Sequence, residues 1–184
     1  YILTIPTGSI KEAHKLESML AGLEFMNEVS TENEDAEKFS AYSLETTTTG
    51  VKKEEILFYG IEENSKYVDL DLKKGDVVIS SAYAGKFDLE KGDIITLKEK
   101  YEKEEYSFQV TGIYDYEASL VVFMDREYLN EVFDLGKGMF GGYFSSTEIT
   151  DIDSQYIGSV IDEDALTKIS RQLDVSMGNF MVLI

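Results

Sequence analysis

The chain has 184 residues and carries 17 Lys and Arg against 36 Asp and Glu, a formal net charge of −19. So acidic a surface repels phosphate backbones and anionic headgroups, which argues against nucleic acid and against lying flat on a membrane, and fits solubility or attraction of cationic partners such as basic peptides. With 43% hydrophobic residues a buried core is within reach, no Cys is present for disulfides, thiolate zinc sites or cysteine catalysis, and a single His must serve any His-based triad or metal site.

In chain order, Tyr1-Ile2-Leu3-Thr4-Ile5 opens the sequence as a short apolar run. Ser9-Ile10-Lys11-Glu12 forms a capping box, and Ala13, Leu16, Leu20 and Leu23 follow at helical spacing, so a first helix with one apolar face is expected. The acidic stretch Glu28 to Glu37 has no basic residue and reads as a solvated loop or helix start. From Phe39 to Gly112 the texture is β. Strands are expected over 40–48, 55–61, 76–80 and 94–99, then from Tyr106 to Val110, and again from Leu120 to Met124. The charged segment Lys98 to Glu105 reads as an exposed hairpin tip.

Two segments echo each other. Leu72-Lys73-Lys74-Gly75-Asp76-Val77-Val78 is matched by Leu89-Glu90-Lys91-Gly92-Asp93-Ile94-Ile95, which predicts two turns of the same kind, each feeding a strand. Asp125 is expected to cap a second helix bearing Tyr128, Leu129, Val132, Phe133 and Leu135. A glycine-rich segment, Gly136 to Gly142, ends it. Asp162 is expected to cap a third helix with Leu166, Ile169, Leu173 and Phe180 on one face. The chain finishes Phe180-Met181-Val182-Leu183-Ile184, so both ends read as the mouths of two apolar segments, or as an ordinary core strand and core helix end. No run of about 18 apolar residues occurs, so nothing in the chain spans a bilayer by itself.

The chemical motifs are weak. Gly136-Lys137-Gly138-Met139-Phe140-Gly141 matches G-x-G-x-x-G in letters but follows a helix, where a dinucleotide site needs it after a strand and before a helix. Asp69-Leu70-Asp71 and Asp151-Ile152-Asp153 start like calcium loops. Position six is Lys74 or Tyr156 rather than Gly, and position twelve is Ser80 or Asp162 rather than Glu, which leaves only an irregular site at Asp151, Asp153 and Asp162. His14 reads as a surface residue. Paired carboxylates for a hydrolase stay open on counting alone. No catalytic, cofactor-binding or metal-ligating residue is assigned.

Helix, strands, helix indicates an α+β fold. The run Gly75-Asp76-Val77-Val78-Ile79-Ser80, Ala84 to Leu89, Lys91-Gly92-Asp93-Ile94-Ile95-Thr96-Leu97, Phe108-Gln109-Val110-Thr111-Gly112-Ile113 and Val121-Val122-Phe123-Met124-Asp125-Arg126-Glu127-Tyr128-Leu129 resembles the extracytoplasmic domain of FtsX-like, MacB-like ABC-transporter permeases. Glu55 to Asp69 resembles the strand and loop before that core. Gly142 to Ser146 and Arg171 to Gly178 look like the return to the membrane in Gram-positive members.

The resemblance covers roughly residues 55–184. It implies a domain set between two membrane helices on the outer face of a bacterial cell. It implies a mixed α/β part from residues 1–70 and 136–184, with residues 71–135 as an inserted β-rich part. It implies no enzyme activity and no cofactor. The implied partners are an ABC ATPase reached through membrane helices, a second permease subunit, and a peptide, lipoprotein or protein ligand, with Tyr143, Phe144 and the glycines before them as contact points or as buried packing. A secreted adhesion module and a carboxylate-based hydrolase are the other readings.

Overall fold

A computed structural model describes residues 2–4, 29–47 and 52–161. The helices expected from Ser9 and from Asp162, and His14 with them, lie outside the described residues. The strands are β1 (Ile2–Thr4), β2 (Glu37–Thr46), β3 (Glu55–Ile61), β4 (Val78–Ser80), β5 (Ile94–Lys98), β6 (Glu105–Gln109), β7 (Gly112–Tyr114), β8 (Val121–Asp125), β9 (Gly142–Phe144) and β10 (Ser159–Ile161). Among the described residues two helices join them, α1 (Ser81–Phe87) and α2 (Arg126–Val132), with one 3-10 turn at Ser154–Tyr156.

The strands form a mixed sheet in the order β10-β1-β9-β2-β3-β8-β4-β7, and the β5–β6 hairpin hangs from the far end of β2. β3 with β8 and β4 with β7 are parallel pairs; the other pairings are antiparallel. This is an α+β architecture, as the element order implied.

The centre of the sheet is covered on both faces. One cluster takes Ile56 and Phe58 of β3 with Val122 and Met124 of β8; the other takes Ile61 with Val121 and Phe123. Strands buried on both faces lose the polar–apolar alternation, which is why 120–124 reads as an unbroken apolar run. Phe58 sits against Phe108 and Phe133 with ring centroids 5.4 and 5.3 Å away, and Tyr42 stacks on Phe133 at 4.1 Å. Burying a side chain of that size contributes about 1.5–3 kcal/mol.

The hairpin keeps its alternation. Ile95, Leu97 and Phe108 are buried, while Ile94 is 61% exposed.

The echoed segments fold as equivalent turns. Lys73 N–H donates to Asp76 Oδ2 at 2.8 Å, and Glu90 N–H donates to Asp93 Oδ2 at 2.8 Å. Gly75 and Gly92 take φ of 99° and 101°, a region that costs glycine no Cβ clash.

The sequence reading departs from the structure at α1, which lies inside the stretch read as β. Ser80 Oγ accepts from Tyr83 N–H at 3.2 Å and so caps the helix, and Asp88 closes it with a left-handed φ of 52°. Asp125 caps α2 as expected, accepting from Tyr128 N–H at 2.9 Å. The helix stops at Val132, short of Leu135, whose N–H turns back to Asn130 O at 2.8 Å. Gly142, expected as the last residue of the glycine-rich segment that ends the second helix, is the first residue of the buried strand β9.

β1 and β10 are antiparallel neighbours, with Ile2 opposite Ile161. The first described residue of the chain therefore lies beside the last.

Candidate functional site

Three polar assemblies stand out from the apolar framework. The first is a joint between α2, β2 and the loop before β9. Arg126 and Asn130 are four residues apart, so they share a helix face. That face packs down on β2 and β3, and it leaves Arg126 9% and Asn130 1% exposed. The carbonyl of Met139 accepts from Asn130 Nδ2 at 2.7 Å and from an Arg126 guanidinium nitrogen at 2.7 Å, and the Ser40 hydroxyl lies 3.1 Å away. Ser40 Oγ also approaches Asn130 Oδ1 at 2.7 Å. Arg126 Nε is ion-paired at 2.8 Å with Glu62, although its N–H does not point along that contact. A buried guanidinium needs such partners, because an unpaired charge there is costly.

The close approach that allows this joint depends on Gly60. A Cβ at that position would lie 2.9 Å from Arg126 Cα and 3.1 Å from Ser40 Cβ.

The second assembly is the tip of the β5–β6 hairpin. Carboxylate oxygens of Glu99, Glu102 and Glu104 lie within 4.8 Å of one another. Glu99 is buried and accepts from the Tyr42 hydroxyl. Burial, and then the Glu99 carboxylate, hold the Tyr42 phenol well above its usual range. Beside this cluster Tyr101 stands 91% exposed.

The third fastens the acidic segment before β2 to the residues after β9. Asp151 accepts from the Thr31 hydroxyl at 2.6 Å and from Glu32 N–H at 2.7 Å, which lowers its carboxyl below the usual range. Asn33 Nδ2 donates to Thr147 Oγ1 at 3.1 Å, and Tyr67 receives Ser146 N–H at 2.8 Å while donating to Asp35 O at 2.6 Å. The stretch expected as a solvated loop or helix start is thus tied down along much of its described length.

These contacts also decide the fate of the motif residues. Asp151 is engaged with Thr31 and Glu32 and fastens two distant segments, and Asp153 accepts from Gln155 N–H at 3.1 Å and fixes the head of the 3-10 turn; Asp162 lies outside the described residues. Asp71 pairs with Lys73 at 3.0 Å. The Gly136–Gly141 segment follows α2 and supplies the Met139 carbonyl to the joint, which is not the placement a dinucleotide needs.

Tyr143 and Phe144 are both buried: Phe144 stacks on Phe39 at 4.4 Å, and the Tyr143 hydroxyl donates to Val29 O at 2.7 Å. Of the two roles raised for them, buried packing is the one observed.

A surface cleft of about 440 Å³ runs along the end of α2, lined by Glu127, Asn130, Glu131, Asp134, Gly136 and Lys137. Two of its carboxylates are in use. Glu127 accepts from Gly138 N–H at 3.2 Å, and Glu131 pairs with Lys74 at 2.5 Å. The joint itself went unread in the sequence. Its signal was an Arg and an Asn at helical spacing among the apolar residues of α2.

No helix among the described residues is long and apolar enough to cross a membrane. No family model matches the chain, and no curated protein matches it. Among solved structures the chain is similar to the extracellular domain of the noncanonic ABC-type transporter YknZ from Gram-positive bacteria. The identity is 14%, covering 96% of this chain and 95% of that one, with a TM-score of 0.45. It is also similar to the periplasmic region of MacB from Actinobacillus actinomycetemcomitans, at 14% identity over 95% of this chain and 83% of that one, with a TM-score of 0.42.

Proposed function

We propose that the chain is the extracytoplasmic domain of a bacterial ABC-transporter permease of the FtsX-like, MacB-like kind. In this reading it engages a peptide, lipoprotein or protein outside the membrane and passes on movement generated by an ATPase inside. The observation that carries the reading is the β1–β10 pairing. Ile2, where β1 begins, stands opposite Ile161, where β10 ends, so two membrane tethers could leave from one side of the domain.

The sequence units that resemble the family support it from a second direction. The Gly75 and Gly92 turns and the β8–α2 unit are all ordered parts of the sheet and its packing. The joint at Arg126, Asn130 and Ser40 and the contacts of Asp151 with Thr31 and Glu32 fit a force-bearing body, because they tie separate elements of the domain to one another.

Affinity purification of the whole protein from detergent-solubilised membranes tests this. An ABC-type ATPase is expected to copurify. Recovery of the whole protein from the soluble fraction, with no such ATPase, contradicts the reading.

A further inference from the structure

Among the described residues, β2 is the strand through which the outlying parts of the sheet are connected. By strand pairing the flank β10-β1-β9 joins the rest of the sheet where β9 pairs with residues 37–39 of β2, and Phe144 of β9 also lies beside Tyr59 of β3 at 6.3 Å. By strand pairing the β5–β6 hairpin joins it where β5 meets Glu45 and Thr46 at the other end of the same strand, and Phe108 of β6 also packs against Phe58 of β3 at 5.4 Å. Between these two contacts β2 is held along its length by β3, from Ser40 opposite Gly60 to Glu45 opposite Glu55. A strand of ten residues is roughly 30 Å long when fully extended.

Side chains anchor both ends. Phe39 stacks on Phe144 of β9 at 4.4 Å. At the far end Glu45 pairs with Lys98 of β5 at 3.3 Å, and Tyr42 donates to Glu99 just beyond that strand. Tyr143 of β9 and Leu97 of β5 also belong to one hydrophobic cluster.

We propose that β2 is a coupling strand: the flank that carries β1 and β10 and the acidic hairpin open and close as one cooperative unit, separately from β4 and β7 on the opposite side of the sheet. The physical basis is the shared ladder. Loosening β9 frees the start of β2, and a strand that loses its hydrogen bonds at one end frays toward the other, so the two residues that hold β5 lose their support. This is a property of the domain itself and stands whatever membrane setting the whole protein occupies.

Residue-resolved amide hydrogen exchange of this chain tests it, comparing the wild type with Phe144→Leu, which removes the stack on Phe39 but keeps an apolar side chain. A swap of this kind costs up to about 1.5 kcal/mol, so exchange in the affected unit should rise up to about tenfold. The expected pattern is a rise at β9 and β1 and, by a similar factor, at β5 and β6, with β4 and β7 at wild-type rates. Phe39→Leu removes the same stack from the β2 side and serves if the first variant does not fold. Any pattern in which the hairpin keeps its wild-type rates overturns the proposal, as does a uniform rise that includes β4 and β7.

Discussion

β3 and β8 lie with both faces in apolar surroundings, whereas β5 and β6 bury one face and offer the other to water. Phe58, Val121, Val122 and Met124 are fully buried, while Ile94 and Tyr101 in and beside the hairpin are largely exposed. The contrast shows where the domain keeps its rigidity. The parallel β3–β8 pair is buried or half-buried everywhere but at Glu55, so the cost of a substitution falls mainly on packing. The hairpin can change its outward residues at little cost, which suits a surface that meets other molecules.

The comparison breaks first if Phe58→Ala is tolerated. That change empties a site fully enclosed by Phe108 and Phe133 and is expected to lower unfolding free energy by about 3–5 kcal/mol in urea titrations. Next comes Asn130→Ala at the polar joint. It removes the amide donor to Met139 O and the Asn130 Oδ1 acceptor that the Ser40 hydroxyl meets at 2.7 Å; a loss of about 1–3 kcal/mol is expected by the same titration. Gly60→Ala forces a methyl to within 2.9 Å of Arg126 Cα, so α2 must lift from the sheet at a cost of about 1–3 kcal/mol, visible as a lower thermal midpoint.

Asp151 supplies a smaller, pH-dependent effect. Its carboxyl is lowered by the Thr31 hydroxyl and then by Glu32 N–H. A group depressed in the folded state adds stability above its unfolded pKa and loses it as pH falls through the folded value. The stability gap between wild type and Asp151→Asn should therefore be steady near neutral pH and close in the acid range. It should stay below about 1 kcal/mol, because the group faces solvent. A gap that widens on acidification contradicts the assignment. At the small end, Tyr101→Ala on the hairpin should change stability by no more than about 0.5 kcal/mol.

Much of the framework was legible in the residues. The alternation of Ile95 and Leu97, and of Tyr106 and Phe108, gave the hairpin, because a one-sided strand writes its period into the chain. The matched Gly75 and Gly92 turns were legible because only glycine enters that region of φ without strain.

α1 was hidden. Seven residues are too few for a helical period to show, and apolar Val77 and Ile79 just before it carry a strand signal. The joint was hidden for a different reason. Arg126 and Asn130 are ordinary surface residues by type, and only the approach of α2 over Gly60 turns them inward. The docking of the acidic segment 29–36 depends on partners more than a hundred residues away, among them Asp151 for Thr31, and no local pattern records that.

The account stands on the domain facing outward from the membrane, and one labelling experiment addresses it. The chain has no Cys, and Tyr101 is 91% exposed, so Tyr101→Cys gives one reactive site in a whole protein freed of other cysteines. A membrane-impermeant maleimide is expected to label position 101 in intact cells, after opening of any outer membrane. Labelling that appears only once the cytoplasmic membrane is permeabilised would contradict the account.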